Sequence, residues 1–152
     1  MAPQLRKRFL IGTTCLVLFA GLGFAGDHHS LNGTWAMIPA QSKFEGQPVI
    51  QSGTVTINDR EHNIYISRNF TYDGAKETTS YSFATDGREN STIHNGKTFK
   101  SKASWDGGVL KVTTTQDNST TVERFSLQPD GTMTLVVERP DRRPITLLLQ
   151  RQ

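Results

Sequence analysis

The chain is poor in cysteine. Among 152 residues there is one, Cys15. It lies inside a leader-like segment, so removal of that segment would leave no thiol and no disulfide to staple the fold. Catalytic signatures are also missing. The sequence has no Gly-x-Ser-x-Gly elbow, no cysteine nucleophile beyond residue 25 and no Gly-rich strand-to-helix junction for phosphate. His29, His62 and His94 do not fall at a metal-ligand spacing. No stretch keeps a helical period, and no internal repeat, low-complexity tract or domain boundary is visible. Excess charge is absent too. Three of the 17 Lys and Arg are Arg6, Lys7 and Arg8, and the remaining 14 balance 14 Asp and Glu. A neutral body argues against nucleic acid or an anionic membrane surface as partner.

The first residues read as an address. Arg6, Lys7 and Arg8 form a basic start, and a largely apolar run follows from Phe9 to Ala25. Gly23 and Ala25 supply small residues for cleavage before Gly26, the pattern of a secretory signal peptide. The run is 17 residues long and interrupted by Gly12, Thr13 and Thr14, at the short limit for a membrane span. Those same residues precede Cys15 where a lipidation motif needs a large aliphatic residue. The expected organisation is a signal peptide over 1–25, a flexible mature N-terminus over 26–32, and one domain over 33–152. Membrane contact is expected only through an uncleaved leader.

What the body does contain is a succession of short alternating runs rich in Thr, Val and Ile, the pattern of half-buried strands. Strands are expected at Gly33–Ile38, Gly53–Asn58, Asn63–Thr71, Glu77–Ala84, Thr98–Trp105, Val109–Gln116, Thr120–Gln128, Thr132–Glu138 and Ile145–Arg151, with a shorter one at Ser91–His94. Between them stand Asp73-Gly74, Asp86-Gly87, Asn95-Gly96, Asp106-Gly107-Gly108, Asp117-Asn118 and Pro129-Asp130-Gly131, all tolerant of positive φ. Pro39–Pro48 is irregular, with one helical turn at most. This is an all-β up-and-down meander of 8–10 strands, and pairing the last strand with the first would close it into an antiparallel barrel without edges. Barrels of this size enclose side chains or one small ligand.

Leu31-Asn32-Gly33-Thr34-Trp35, at the first strand, resembles the Gly-x-Trp signature of the calycin superfamily, which holds lipocalins and fatty-acid-binding proteins. Asp106-Gly107-Gly108-Val109-Leu110, Ser119–Arg124 and Leu135-Val136-Val137-Glu138 resemble the fatty-acid-binding branch in order and rhythm. The run from Gly33 to Phe44 is similar to small exported bacterial lipocalin-like proteins. The resemblance implies a barrel with an interior ligand. It would place a carboxylate-holding Arg at Arg124, while the family's C-terminal Arg-x-Tyr pair is replaced by Leu147 and Leu149. The chain between Trp35 and the second strand is too short for the family's two-helix lid.

Physical reasoning gives Trp35 a structural role as an apolar plate at one barrel end, with Gly33 admitting a neighbouring backbone and Arg151 placed to stack on the indole. Arg124 shares a face with Val122 and Thr120. If that face turns inward, the guanidinium needs an anion or an acid partner. Tyr65, Tyr81, Phe83, Phe99, Trp105 and Phe125 are the aromatic candidates for lining a cavity. Cleavage before Gly26 would create Gly26-Asp27-His28, whose amine, amides and imidazole form a square-planar nitrogen set for Cu(II) or Ni(II); a solvated tail is the simpler expectation. Asn32, Asn69, Asn90 and Asn118 begin Asn-x-Ser/Thr triplets, which matter only in a eukaryotic secretory route. The Arg139–Pro144 connection reads as a basic hairpin loop, solvated or facing an acidic partner.

The expected protein is an exported, monomeric, non-enzymatic barrel in the periplasm or outside the cell. It would bind a small hydrophobic or amphipathic molecule without a cofactor. The alternative is a surface-acting envelope module or protease-inhibitor-like barrel with a filled core. An open interior would favour the first reading, a packed one the second.

Overall fold

The computed structural model describes residues 31–94 and 96–152. The leader, Cys15 and the Gly26-Asp27-His28 set lie outside these residues. The described chain forms ten antiparallel strands: β1 (Gly33–Met37), β2 (Ser52–Arg60), β3 (Asn63–Tyr72), β4 (Ala75–Ala84), β5 (Asn90–His94), β6 (Lys97–Asp106), β7 (Val109–Gln116), β8 (Ser119–Leu127), β9 (Met133–Arg139) and β10 (Arg142–Arg151). Tight turns make such a meander possible. Asp73 and Gly74 adopt φ of 48° and 80°, and Asp117 and Asn118 adopt 48° and 64°, the paired positive values that match the twist of two-residue hairpins.

One sheet runs in the order β4-β3-β2-β1-β10-β9-β8-β7-β6-β5. Pairing of β1 with β10, Trp35 opposite Arg151 and Met37 opposite Leu149, joins the chain's two ends. That pairing does not abolish the edges. It moves them to mid-chain, at β4 and β5, so the barrel is nearly closed with one seam. Toward the base of the seam the β4–β5 connection docks on β6 through an Asp86–Ser104 bridge and a Gly87 N–H to Ala103 carbonyl bond of 3.1 Å.

Three local boundaries differ from the sequence reading. Leu31 is fully buried and Asn32 exchanges two hydrogen bonds with the Asp59 backbone, so the fold begins two residues before Gly33, inside the expected tail. The helical turn in the β1–β2 connection is a 3-10 turn at Pro39–Gln41. The Arg139–Pro144 segment is the expected hairpin, but β10 begins at Arg142 instead of Ile145, so the connection is tighter than expected. Its two strands pair through Arg139 and Arg142, and a register shift between Arg142 and Ile145 accommodates Pro144, which has no N–H to give.

The interior has two unlike ends. At one, here the floor, Leu31, Trp35, Ile57, Ile64, Leu110 and Phe125 are essentially inaccessible. The opposite end, the mouth, is ringed by the 73–74, 117–118 and 140–141 turns and by the β1–β2 connection. That connection is tied to β10 by Lys43–Thr146 backbone bonds of 2.7 and 2.9 Å.

Candidate functional site

The floor is built around Trp35. Its Nε1 donates to the Leu31 carbonyl at 2.9 Å, and the Arg151 guanidinium lies 4.4 Å from its ring centroid. Arg151 also donates through Nη1 to the Asn32 carbonyl. Gly33 has φ +130°, and a Cβ there would meet Arg151 Nη1 at 2.8 Å. The group that needs the space is therefore the Arg151 side chain, not a neighbouring backbone as expected. Leu147 and Leu149 face inward and are buried with the floor residues.

Strand phase decides which charges enter the barrel. In β3, Ile64, Ile66 and Phe70 point inward, and Arg68 shares their phase. In β8, Phe125 points inward and carries Glu123 with it. Arg124 therefore faces outward with Val122, and its Nη1 pairs with Glu138 Oε2 at 2.5 Å on the half-exposed outer surface. The inward, carboxylate-holding place that the resemblance implies for Arg124 is therefore not found: one residue along a strand is the opposite face, and the inward neighbour is the acid Glu123.

Across the lumen, Arg68 and Glu123 form a two-pronged ion pair, with Nη1 to Oε1 at 2.5 Å and Nη2 to Oε2 at 2.6 Å. Their side chains are only 11% and 9% exposed. The guanidinium lies 5.4 Å from the Tyr81 centroid and 5.8 Å from that of Phe125. Burial alone would lower the Arg68 pKa; the Glu123 charge and hydrogen bond outweigh it, and the net direction is up. The Arg68 Nε is buried without a hydrogen-bond partner. The sequence reading missed both residues. The available signal was their phase with Ile64, Ile66 and Phe70 on one strand and Phe125 on the other.

Above this pair the packing opens. A cavity of about 240 Å³ is bounded by the pair, Tyr81, Phe99, the polar side chains Thr114, Gln116, Ser119 and Thr121, and, at the rim, Arg139. Tyr81 and Phe99 also line a second cavity of about 340 Å³ along the β4–β5 seam, with Phe83, Asn90, Thr92 and the exposed Ile93. A smaller space of about 100 Å³ lies toward the mouth between Arg68, Phe70, Tyr72, Glu77 and Arg139. There Tyr72 is half-buried, and burial followed by the Glu77 charge raises its pKa.

The aromatic candidates separate accordingly. Tyr81, Phe83 and Phe99 line the cavities, and Tyr81 stacks on Phe83 at 5.7 Å. Phe125 belongs to the buried core, and Trp105 packs against it. Tyr65 points outward and donates to Ser80 Oγ at 3.1 Å. Among the described residues no group of three or more His, Cys, Asp or Glu is placed to hold a metal.

No family model and no curated protein matches the sequence. The fold does have solved counterparts. The wild-type fluorescent protein UnaG superposes with a TM-score of 0.66 at 16% identity, covering 82% of this chain and 98% of that one. A Schistosoma mansoni fatty acid binding protein in complex with arachidonic acid gives 0.63 at 18% identity, covering 84% and 99%. Secretory abundant heat soluble protein 4 from Ramazzottius varieornatus gives 0.62 at 14% identity, covering 81% and 95%. This chain thus shares the β-barrel fold of these proteins, the fatty acid binding protein among them.

Proposed function

We propose that this protein is a non-enzymatic carrier that holds a small hydrophobic or amphipathic molecule in its lumen and admits it through the β4–β5 seam. The observation that carries the reading is the pair of spaces of about 240 and 340 Å³, which share Tyr81 and Phe99 above a packed floor. The larger reaches the lower end of the ~300–1,000 Å³ range of small-molecule sites. Such a space argues against the filled-core, surface-acting alternative. The structural likeness to fatty-acid-binding barrels agrees with this reading. The Arg6–Ala25 pattern adds the proposal that the carrier is exported, to the periplasm or beyond the cell.

Native mass spectrometry of the protein purified under mild conditions is expected to show a bound small molecule, and a neutral dye such as Nile red to bind with blue-shifted emission. Substituting Phe for Thr121 fills the polar cavity and should abolish dye binding while the protein remains folded by circular dichroism. Absence of any bound molecule and of dye binding would return the surface-acting reading.

A further inference from the structure

We propose that the lumen selects an uncharged, hydrogen-bonding head group, such as that of a long-chain alcohol or monoacylglycerol, over a free carboxylate. This rests on the reading that the lumen holds a ligand, and it names the ligand's class.

The argument starts from charge. Arg68 is the cation at the centre of the barrel, and both of its terminal nitrogens are already engaged by the two oxygens of Glu123. A carboxylate arriving there would either displace Glu123 or sit beside it. In the first case a buried anion loses its partner; in the second, two like charges share a poorly solvated space. Toward the mouth, the space that holds the pair also contains Glu77 and Arg139, so its charged lining is two cations against two anions. Arg139 also borders the 240 Å³ cavity, whose charged lining is Arg68, Arg139 and Glu123. It is exposed and donates to Gln47 Oε1 at 3.0 Å, so an anion gripped by it would stay at the wet rim, away from the buried pair.

The remaining polar lining suits a neutral group. Thr114, Gln116 and Thr121 bring hydroxyls and an amide, which both donate and accept, to one side of the cavity. Ser101 and Thr114 already share a 3.1 Å hydroxyl contact. On the other side Tyr81 and Phe99 continue into the seam toward Phe83 and Ile93, where an alkyl chain would lie. A hydroxyl or ester head can bond to these residues without disturbing the ion pair.

The test compares decanoate with 1-decanol at pH 8, where the acid is ionised. Each is titrated against Nile red bound to the full protein, with calorimetry as a second measure. The alcohol should bind at least about tenfold more tightly than the acid, from the cost of a second anion near Glu123. Glu123→Gln leaves Arg68 charged without its counter-ion and should reverse the order. The wild-type comparison alone decides the matter if that variant does not fold. Tighter binding of decanoate by the wild type would overturn the proposal, and loss of that binding in Arg139→Gln would trace it to the rim. If Nile red binds but the two ligands displace it equally, the head-group inference fails while the lumen reading stands. If neither dye nor ligand binds, both fail.

Discussion

The two halves of this barrel are made from the same strands but are packed by different rules. Below the Arg68–Glu123 pair, residues from strands across the barrel interlock around Trp35, Ile57, Leu110 and Phe125 with no accessible surface left. Above it, β6, β7 and β8 turn Phe99, Thr114 and Thr121 inward around open space. The floor collects large apolar side chains and holds the fold together by burial, at about 25 cal/mol for each Å² of apolar surface. In the upper half Ile50, Phe70 and Ile145 remain buried, but the side formed by β4 to β8 gives up that burial and keeps room. Close packing and open space are therefore segregated within the barrel, with an ion pair at their boundary.

Substitutions can break this contrast. The largest effect is expected at Trp35→Ala, which opens a cavity in the floor, removes the bond to Leu31 and leaves Arg151 without its ring. The loss should be roughly 5 kcal/mol in urea unfolding. Thr121→Val in the upper half, by contrast, should stay within about 0.5 kcal/mol of wild type. Equal losses at the two positions would erase the distinction.

Next is the boundary. Arg68→Met strands the Glu123 carboxylate and should cost about 3 kcal/mol. The double substitution Arg68→Met with Glu123→Leu should recover most of that or exceed the wild type, since well-packed apolar residues commonly replace buried pairs without loss. A double variant no better than the single one would mean that the pair itself organises the halves.

Gly33→Ala is expected to cost about 1–2 kcal/mol, because φ +130° is strained for a side chain and Arg151 must leave its position over Trp35. Thermal melts with and without Arg151→Gln would show whether the two effects share a cause. On the outer surface, Arg124→Gln should cost roughly 0.5 kcal/mol or less, the pair with Glu138 being half-exposed and screened. It should leave ligand affinity unchanged. A large loss of affinity would restore Arg124 to the site.

The smallest effect lies at the β8–β9 turn. The Thr132 hydroxyl and N–H hold the Asp130 pKa below its usual value. The lowered folded-state pKa adds stability above the ordinary carboxylate range, which is lost as pH falls through the folded value. Asp130→Asn should therefore flatten the acid end of a melting-temperature profile slightly, with binding untouched.

The strand count and most boundaries were legible because β structure has a short period and its turns a restricted chemistry. Asp73-Gly74 and Asp117-Asn118 can be read without knowing their surroundings. Trp35 and Arg151 were legible as a pair because closing a meander brings its two ends together. Arg124 shows where local reading stops. In β8, Val122 argues for one face and Phe125 for the other, and nothing within nine residues chooses between them. The choice comes from Leu110 and Leu135, the inward neighbours opposite Phe125 on the flanking strands.

The sequence by itself therefore determined the class of fold, its direction of winding back and forth, and the device that joins its ends. Alternation and turn residues act over a few positions, so a linear pattern suffices to specify them. Only the tertiary structure decided that Arg68 meets Glu123, that the edges lie at β4 and β5, and that part of the lumen stays open. Those outcomes depend on groups 55 residues apart sharing one small interior and on volumes left over after packing, which no local pattern encodes.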